Sequence, residues 1–493
     1  EIKIIKTQGD KIQDLPLDKL EGKGFFTKEI EEALLKREID LAVHSHKDLP
    51  TVSPPGLMIA AVSEREDPSE LILVRKEAVD EKMKFAFKRN AVVGTSSARR
   101  KSQLLAFRSD VKIEDLRGNV PTRVQKLRDG KYDAVMLAAA GVERLELDLS
   151  DLHVEKVSPK EFVPAPAQGV LALQVRDEDK ELFELLQELN DAEVAESISI
   201  ERKVLNLFDG GCQLPLGAYC EVKENEEGGK VFGIFVSKAD AWDKFPKQLY
   251  FESKKSEGLA EKIVEKINTV KPAAVFITRD LRKHDYFRDA LVAQDFTVHG
   301  QALIEMKPVP VRTVPHAEWV FFSSKHAVRY FFALKPDVKG VKFGAVAKAT
   351  ADEIRKFGQR AEFIGSTNDT KLTAKKFAAL AGGKKVLFPQ AKGSLKTIQL
   401  QMPRKENVID LIVYETIKRG WELGAGSEEF GIMVFTSPSN VEAFFEKNKV
   451  SAGQKVVAMG DATANTLRKF GLRADKMPES FDDLGLVRAV LGV

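Results

Sequence analysis

The stretch "AVVGTSSARRKSQLLAF", residues 91–107, joins a short apolar run to a helical pattern through a Gly-Thr-Ser-Ser turn. The apolar run predicts a strand, and the apolar residues after the turn recur at helical spacing. The same order appears in "DAVMLAAAGVERL" (133–145), while residues 26–45 place the helical pattern "FTKEIEEALLKREID" before the strand-like "LAVHS". Such alternation predicts parallel α/β sheets, in which ligands bind at the carboxyl ends of the strands.

The composition is that of a globular chain with several domains. Of 493 residues, 43% are hydrophobic and 31% are charged, and one core does not extend over this length. The 77 Lys and Arg against 74 Asp and Glu leave a net charge of +3, which predicts no nucleic-acid or membrane partner. The two cysteines exclude a disulfide scaffold and no Cys/His spacing suits a metal, so we expect a cytoplasmic protein without a metal site.

The pattern changes after residue 190. A helix is predicted in "DAEVAESISIERKVLNLF" (191–208), and it leads to "GGC" at 210–212. A hairpin is predicted in "CEVKENEEGGKVFGIFVS" (220–237), with Glu-Gly-Gly at its tip. The charged helix "KSEGLAEKIVEKINTVKP" (255–272) ends at a proline, where we place a domain boundary.

Beyond that boundary the chain repeats itself. The segment "FSSKHAV" at 322 is echoed by "FTSPSNV" at 435, and "VAKATADEIRKFG" at 346 is echoed by "MGDATANTLRKFG" at 459. Both pairs have the same offset, since 435 − 322 and 459 − 346 are each 113. A constant offset between separated motifs predicts two similar α/β lobes with a cleft between them.

Five arginines of the stretch 94–144 lie at the predicted ends of elements, namely Arg99, Arg100, Arg117, Arg123 and Arg144. One such arginine is most often a solvated surface residue, but five at these positions favour a ligand with several carboxylates or phosphates. The hydroxyls of Thr95 and Ser96 before the helix would suit the same kind of anion.

Three further motifs have an ordinary and a functional interpretation. Lys47 and Asp48 follow a predicted strand and either cap a turn or face a site. The "EGKGFFTKE" loop (21–29) is either a connection or a mobile flap. Cys212, behind two glycines, is either a small buried residue or an accessible nucleophile.

Eight motifs in order resemble the hydroxymethylbilane synthase family, also called porphobilinogen deaminase: "GKGFFTKE", "DLAVHSHKDLP", "SEREDP", "VGTSSARR", "LRGNVPTR", "YDAVMLAAAGVERL", "PAPAQG" and "GGCQLPLGAY". The resemblance implies a dipyrromethane cofactor joined by thioether to Cys212, with Asp48 as the catalytic carboxylate. It implies cofactor-binding residues at Ser45, Lys47, Thr95, Ser96, Arg99, Arg100 and Arg117, and substrate-binding residues at Lys23, Phe26, Arg123 and Arg144. The family's opening strand and helix would precede Glu1, and the strand-like "EIKIIKT" begins without Met, so we expect that the natural N-terminus is missing.

The residues from about 271 to 493 resemble uroporphyrinogen-III synthase. The resemblance rests on the repeat, "FTSPSNV", "VLFPQAKGS" (386–394) and "VIDLIVYET" (408–416). It implies an acid role for Tyr414, whose ordinary interpretation is a strand tyrosine with a hydrated hydroxyl. It also implies that loop hydroxyls bind the substrate carboxylates, at Ser324, Thr436, Ser437, Ser439 and Thr463.

Together the resemblances imply a monomeric, bifunctional tetrapyrrole enzyme of α/β multidomain fold, acting on small molecules. Its halves are two periplasmic-binding-protein-like lobes with a small α+β domain, and a bilobal flavodoxin-like repeat. The implied boundaries are 1–65 with 166–190 for the first deaminase lobe, 66–165 for the second, 191–265 for the small domain, 271–307 with 415–493 for the first synthase lobe and 308–414 for the second. Two alternatives stay open: a deaminase with a non-catalytic C-terminal domain, and a non-enzymatic anion-binding protein.

Overall fold

The computed structural model describes residues 1–7, 27–209, 214–225, 227–365, 370–420, 422 and 429–493. The chain forms two compact units. The first comprises Glu1–Pro272, Tyr286–Asp295 and Val487–Gly492, and the second comprises Ala273–Asp285, Phe296–Leu486 and Val493. No helix within the described ranges is long and apolar enough to span a membrane.

The first unit contains eight helices and eleven strands within the described ranges. In chain order they are α1 (Lys28–Leu35), β1 (Ala42–Ser45), β2 (Leu57–Val62), β3 (Glu70–Arg75), β4 (Val92–Gly94), α2 (Ala98–Phe107), β5 (Lys112–Glu114), α3 (Val120–Arg128), β6 (Ala134–Ala138), α4 (Ala139–Glu143), β7 (Leu152–Val157), β8 (Leu171–Arg176), α5 (Lys180–Leu186), α6 (Ala192–Leu207), β9 (Leu216–Glu224), β10 (Lys230–Lys238), β11 (Lys247–Ser253), α7 (Leu259–Thr269) and α8 (Tyr286–Val292). Short 3-10 turns cover His46–Asp48, Lys76–Ala78, Lys84–Ala86 and Gln187–Leu189.

The strands of the first unit form three sheets, in the orders β1-β8-β2, β5-β4-β6-β3-β7 and β11-β10-β9. In the five-stranded sheet β4 is parallel to β5 and β6, as predicted, because helices α2 and α3 cross between these strands. Strand β3 is antiparallel to both of its neighbours, and β8 is antiparallel to β1 and β2. The prediction of parallel sheets is therefore confirmed for β4 and its neighbours and wrong for β3 and β8, which enter their sheets without a crossover helix on that side.

The five-stranded sheet is covered on both faces, which explains the unbroken apolar run in β3. Leu71 and Leu73 pack into one hydrophobic cluster, and Ile72 and Val74 pack into another. Successive side chains of a strand point to opposite faces, so a strand buried on both faces is apolar at every position. Glu70, the first residue of β3, is the exception and is fully buried.

Several local predictions agree with the structure and two differ. The hairpin is confirmed, with β9 and β10 paired antiparallel, and the helix after the Gly-Thr-Ser-Ser turn is α2. The helix predicted over 26–40 is shorter, because α1 ends at Leu35 and Arg37 has a positive φ of 59°. Residues 1–7, predicted as a strand, form no regular element, since they pair with none of the sheets.

The second unit contains helices and strands in alternation. In chain order they are β12 (Ala274–Ile277), β13 (Thr297–Gly300), β14 (Ile304–Pro308), β15 (Trp319–Phe322), α9 (Lys325–Ala333), β16 (Lys342–Ala345), α10 (Lys348–Arg355), β17 (Ala361–Ile364), α11 (Thr370–Ala381), β18 (Val386–Ala391), β19 (Val408–Lys418), β20 (Ile432–Phe435), α12 (Pro438–Phe445), β21 (Lys455–Ala458), α13 (Asp461–Lys469) and α14 (Asp483–Leu491), whose last residues belong to the first unit. Short 3-10 turns cover Gln399–Gln401 and Lys405–Asn407.

The second unit is built on two sheets, β13-β12-β20-β21 and β14-β19-β18-β15-β16-β17. All pairs of the first sheet are parallel, and in the second only β14 runs antiparallel to its neighbour. The segments around 322 and 435 have the same local structure: a buried strand, a serine N-cap and a helix. The serines are Ser324, which caps α9, and Ser437, which caps α12.

Candidate functional site

The loop between β4 and α2 carries the Thr-Ser-Ser hydroxyls, and the backbone uses all three. Ser97 caps α2, because its side chain accepts a hydrogen bond from the backbone N–H of Arg100 at 3.4 Å. Ser96 Oγ donates to Leu116 O and accepts from Leu116 N, both at 3.0 Å. Thr95 is buried and accepts from Ser97 N at 3.3 Å. Thr95 and Ser96 therefore fix the loop that starts the arginine-bearing helix.

The first turn of α2 places Arg99 and Arg100 on one buried carboxylate, that of Glu70. Arg99 Nη2 donates to Glu70 Oε1 at 2.6 Å, and Arg100 Nε donates to Glu70 Oε2 at 2.9 Å. Each guanidinium also donates to a backbone carbonyl: Arg99 to Val163 O at 2.8 Å and Arg100 to Met136 O at 3.1 Å. The two arginines are only 5% and 7% exposed, so they are held in place from several sides.

The charge of Glu70 is stabilised by both arginines. Burial would raise its pKa, but the positive charges of Arg100 and Arg99 and their hydrogen bonds lower the pKa of Glu70 to about 2. Burial lowers the pKa of Arg99, Glu70 opposes this and Arg100 reinforces it. Glu70 is thus ionised at neutral pH and is the counter-charge of a crowded cationic pair.

Lys47, in the 3-10 turn after β1, is connected to the same carboxylate through Gln168. Lys47 Nζ donates to Gln168 Oε1 at 3.4 Å, and Gln168 Nε2 donates to Pro68 O at 2.8 Å and to Glu70 Oε1 at 3.3 Å. Burial lowers the pKa of Lys47, the negative charges of Asp48 and Glu70 oppose that change, and the nearby arginines reinforce it. The structure therefore joins elements of two sheets, β1 and β3, around one polar cluster.

Asp48 is exposed at the end of the 3-10 turn His46–Asp48. Desolvation raises the pKa of Asp48, and the charges of Lys47, Arg123 and His44 work against that rise. Asp48 therefore has an elevated pKa and lies within electrostatic reach of basic side chains. A carboxylate in such surroundings is suited to exchange protons or to stabilise a cation.

Arg123 and Arg117 flank the turn before α3. Arg123 Nε donates to Gly118 O at 2.6 Å, and Gly118 has a φ of +110°, which only glycine adopts readily. Burial, together with the charges of Arg100 and Arg117, lowers the pKa of Arg123 to about 10, and Asp48 opposes this. Arg123 therefore lies within electrostatic reach of Arg100, Arg117 and Asp48.

Arg144, at the C-cap of α4, contacts the segment before β8. Its Nη2 donates to Gly169 O at 3.2 Å, beside Gln168, and the rest of its side chain is exposed. Arg144 is thus near the cluster but not part of the buried network.

The histidines and Ser45 next to Lys47 lie on β1 and its turn. His44 Nε2 and Gln174 Oε1 are 3.0 Å apart. Burial, with the charges of Arg202 and His44, lowers the pKa of His46 to about 3, so this ring is neutral. Among the described atoms, His46 Nδ1 has no hydrogen-bond partner. Ser45 is half-buried and precedes the turn that carries Lys47 and Asp48.

Three predicted site residues, Lys23, Phe26 and Cys212, lie outside the described residues. The other cysteine, Cys220, is buried in β9, where its backbone N–H donates to Glu201 at 2.7 Å. Burial and the negative charge of Glu201 raise the pKa of the Cys220 thiol, so it is a packing residue rather than a nucleophile.

In the second unit, Tyr414 on β19 meets the N-terminus of α9. Its Oη lies 3.3 Å from Ser324 Oγ, which also accepts from Ala327 N at 3.1 Å. The ring stacks on Tyr330 with centroids 5.2 Å apart. Burial raises the pKa of Tyr414 although the hydrogen bond from Ser324 lowers it, so the phenol keeps its proton at neutral pH.

The carboxyl end of β20 carries a network of hydroxyls. Thr436 N donates to Thr278 Oγ1 at 3.0 Å, and Thr436 Oγ1 donates to Thr278 O at 3.2 Å. Asn440 Nδ2 donates to Thr436 Oγ1 and to Ser437 Oγ, both at 3.0 Å. Ser439 is half-buried in the first turn of α12. Thr436 and Ser437 therefore share one hydrogen-bond network through Asn440, with Ser439 in the adjoining first turn of α12.

Thr463 differs from the other predicted hydroxyls. It is 1% exposed in α13, and its Oγ1 donates to Met459 O at 3.2 Å within the same helix region. Its hydroxyl is used by the backbone of its own turn, so its position does not display it to a ligand.

The structure adds residues that the sequence motifs did not single out: Glu70, Gln168, Thr278, Asn440 and Tyr330. Glu70 had a recognisable signal, because an acid at the start of a fully apolar strand requires a buried cation. Gln168 lies within the quoted motif "PAPAQG" (164–169), but its partners could not be read from the motif, and Thr278 had no signal because its partner Thr436 is 158 residues away. Within the described residues, no cluster of three or more His, Cys, Asp and Glu is suited to hold a metal ion.

Comparisons with known proteins divide the chain in two. Residues 1–184 match the family model described as porphobilinogen deaminase, dipyromethane cofactor binding domain, and residues 285–488 match the model for uroporphyrinogen-III synthase HemD. The porphobilinogen deaminase of Brevibacillus brevis is 45% identical over 228 residues, which is 46% of this chain and 72% of that protein. The porphobilinogen deaminase of Oceanobacillus iheyensis is 44% identical over 226 residues, with the same shares of 46% and 72%.

Among solved structures, uroporphyrinogen-III synthetase from Helicobacter pylori is similar over 44% of this chain and 97% of its own, with 16% identity and a TM-score of 0.34. The deaminase match sets aside the alternative of a non-enzymatic binding protein. The chain belongs to the porphobilinogen deaminase family and carries a uroporphyrinogen-III synthase domain after the deaminase, so that one polypeptide holds two enzymes of tetrapyrrole biosynthesis.

Proposed function

We propose that the site around Asp48 joins four porphobilinogen units head to tail into hydroxymethylbilane, with release of ammonia. The observation that carries this proposal is a group of basic side chains around two carboxylates. Lys47 and Arg123 lie within electrostatic reach of Asp48, Arg99 and Arg100 bind Glu70, and Arg117 lies within reach of Arg123. The basic residues are Lys47, Arg99, Arg100, Arg117 and Arg123.

The residues of this site fit the dipyrromethane cofactor of the family. Each pyrrole of such a chain carries an acetate and a propionate, so the growing oligomer is a polyanion. Five basic side chains against the two carboxylates of Asp48 and Glu70 leave an excess of positive charge to receive it. Burying the oligomer's carboxylates unpaired is costly, whereas each charge-assisted hydrogen bond returns roughly 1.5–3 kcal/mol.

The roles proposed for the residues follow from their chemistry. When bound, the dipyrromethane supplies the pyrrole carbon to which the first substrate is added. We assign Cys212 as its thioether anchor, and the arginines with Lys47, Ser45, Thr95 and Ser96 as the residues that hold it. Lys23, Phe26, Arg123 and Arg144 are assigned to the incoming substrate.

Asp48 is proposed to hydrogen-bond the pyrrole N–H of the substrate and to stabilise the positive charge that develops when ammonia leaves. A carboxylate roughly 4 Å from that charge contributes about 4 kcal/mol at an effective dielectric constant near 20. This corresponds to about three decades of rate. Its raised pKa also suits proton transfer near the reacting carbon.

The test is Asp48→Asn in the full chain. We expect the variant to fold and to carry its cofactor, but to elongate about 1000-fold more slowly, because the amide cannot stabilise a cation. Rapid-quench measurement of porphobilinogen consumption gives the rate, and intact mass gives the cofactor content. Asp48→Glu, which keeps the charge, should recover part of the rate; near-normal turnover of Asp48→Asn would contradict the role.

For the second unit we propose cyclisation of hydroxymethylbilane with inversion of its last ring, giving uroporphyrinogen III. The protonated, buried Tyr414 is positioned by Ser324 and Tyr330 to help the terminal hydroxyl leave. Thr436, Ser437 and Ser439 are proposed to hold substrate carboxylates, together with backbone N–H groups. Thr463 stays a prediction that its hydrogen bond to Met459 does not favour.

We further propose the finer architecture that the resemblances imply. The sheets β1-β8-β2 and β5-β4-β6-β3-β7 support two periplasmic-binding-protein-like lobes, and β11-β10-β9 with α6 supports the small third domain. The paired strand, serine cap and helix at 322 and 435 support a flavodoxin-like repeat in the synthase. The domain boundaries, a monomeric state and a cytoplasmic location stay predictions.

A further inference from the structure

We propose that Glu70 is a positioning residue of the deaminase: it holds Arg99 and Arg100 in the arrangement that receives the carboxylates of the dipyrromethane. Through Gln168 it connects them to Lys47. This inference rests on the proposed cofactor-binding role of the arginines. Glu70 lies in β3, outside the motifs that carry the resemblance.

The first argument is geometric. Both oxygens of Glu70 are used by guanidinium groups: Oε1 accepts from Arg99 Nη2 at 2.6 Å, and Oε2 accepts from Arg100 Nε at 2.9 Å and lies 2.7 Å from its Nη2. Glu70 is 0% exposed. One carboxylate therefore determines where two adjacent side chains of the same helical turn point.

The second argument concerns the donors that remain. Arg100 has five N–H groups, of which two face Glu70 and one faces Met136 O. Arg99 uses one N–H for Glu70 and one for Val163 O. Neither guanidinium can swing toward a ligand without breaking these bonds, so both act from fixed positions with their remaining N–H groups. Preorganised donors of this kind bind an anion without a reorganisation cost.

The third argument is electrostatic. Two buried guanidinium groups side by side repel one another, and burial penalises each of them. Glu70 supplies the compensating charge while leaving the pair with a net positive charge for the ligand. Removing that charge leaves two neighbouring buried cations uncompensated, so the side chains are expected to move apart.

Gln168 extends the arrangement to the neighbouring sheet, and it is itself fixed. Its backbone carbonyl accepts from Arg65 Nε at 3.0 Å, and Arg65 forms a bidentate pair with the buried Glu201 at 2.6 and 3.2 Å. Glu201 also accepts from Ala167 N at 2.7 Å. Because Gln168 is held in place and bonds to both Glu70 and Lys47, the position of the Glu70 carboxylate also influences the position of Lys47.

The test follows cofactor incorporation by intact mass. Full-length apoprotein, produced in cells that make no porphobilinogen, is mixed with porphobilinogen, and the rate at which the dipyrromethane adduct appears is measured. For Glu70→Gln we expect a rate about tenfold or more below the unchanged protein, because the negative charge is lost and an NH2 group replaces one of the two oxygens that accept from the arginines. Glu70→Asp restores the charge and should recover part of the rate.

The matched control is Asp110→Asn. Asp110 accepts from Arg108 Nε at 2.7 Å and Nη2 at 2.8 Å, and Arg108 is the C-cap of the same helix α2. This variant also removes the carboxylate partner of a buried arginine, but at the opposite end of the helix, so we expect incorporation at the unchanged rate. A Glu70→Gln rate within twofold of the control, or faster than the unchanged protein, would overturn the proposal; the faster rate would mean that Glu70 competes with the ligand for the arginines.

Two more variants separate this inference from the function on which it rests. If Arg100→Lys incorporates the cofactor at the unchanged rate, the cofactor-binding role of the arginine fails. If Arg100→Lys is slow and Glu70→Gln is not, only the role of Glu70 fails. If Glu70 acts through Arg100, the Glu70→Gln change should slow incorporation less in the Arg100→Lys protein than in the unchanged protein. If Glu70 has a merely structural role, the losses of the two single variants should add in the double variant.

Discussion

Asp48 and Glu70 both lie within electrostatic reach of Lys47, yet their pKa values move in opposite directions. Glu70 accepts short hydrogen bonds from two guanidinium groups, which outweigh its burial and lower its pKa to about 2. For Asp48 desolvation dominates, and the charges of Lys47 and Arg123 offset it only in part, so its pKa rises. Contact with a cation thus makes Glu70 a permanent counter-charge, while Asp48 is left available to the reaction.

For single residues, the sequence indicated which side chains suit the substrate, but it did not indicate which residues those side chains contact. Arg100 and Asp48 could be identified because their residue types suit a polyanionic substrate and a developing cation. The partners of Glu70 could not be assigned from the sequence, because Arg100 lies 30 residues and Gln168 lies 98 residues away along the chain. For Thr463 the sequence pattern suggested a ligand-binding hydroxyl, but in the structure this hydroxyl donates to the backbone carbonyl of Met459.

Tyr414 offers a residue-scale prediction for the second unit. Tyr414→Phe removes the acid but keeps the ring that stacks on Tyr330, so we expect cyclisation to type III to fall by about 10²–10⁴-fold while hydroxymethylbilane forms at the unchanged rate. The measurement is the ratio of type III to type I product. Tyr330→Phe is the control, because its hydroxyl only donates to Met306 O at 2.7 Å. An unchanged product ratio in Tyr414→Phe would remove the acid role.

At the scale of elements, the arginines of the site are displayed by the ends of helices. Ser97 caps α2 directly before Arg99 and Arg100, and Asn119 caps α3, with its side chain accepting from Thr122 N at 2.9 Å. Caps and turns are local, which is why these helix starts could be predicted from the sequence. Strand direction, in contrast, depends on distant parts of the chain. Strands β3 and β8 pair with β6 and β1, which are not their neighbours in the sequence, so no local sequence pattern indicated that these pairs are antiparallel.

Gly118 provides the element-scale prediction. Gly118→Ala places a Cβ about 2.8 Å from Thr122 at a φ of +110°, so we expect destabilisation by about 1–3 kcal/mol and a displaced start of α3. Because Arg117 and Arg123 flank this turn, cofactor incorporation and elongation should slow as well. Thermal unfolding and the two rates are the measurements.

Gly130→Ala is the matched control for this change. Gly130 follows the other end of α3 with a φ of +78°, and an added Cβ would approach Arg75 at 3.4 Å. It should lower the unfolding temperature without slowing either reaction beyond its effect on stability. Equal rates for the two variants would show that the turn at Gly118 does not position the arginines.

At the scale of the whole molecule, the chain carries two enzymes, and their proposed sites would bind substrate through different interactions: charged side chains in one and neutral hydroxyls in the other. In the proposed deaminase site, charged side chains from elements of two sheets lie around Asp48 and Glu70, whereas the proposed synthase site consists of hydroxyls at the ends of parallel strands. The constant offset of 113 residues signalled the paired segments around Ser324 and Ser437. The first unit had a clearer signal, because its motifs contain rare combinations of charged residues and glycines.

The central claim is that the cysteine at position 212 anchors a polyacidic dipyrromethane which the arginines neutralise. The direct measurement is the intact mass of the denatured full chain, compared with Cys212→Ser and with Cys220→Ser. We expect the unchanged protein and Cys220→Ser to exceed their sequence masses by one dipyrromethane, and Cys212→Ser to match its sequence mass. An active preparation without the adduct, or an adduct that persists in Cys212→Ser, would contradict it.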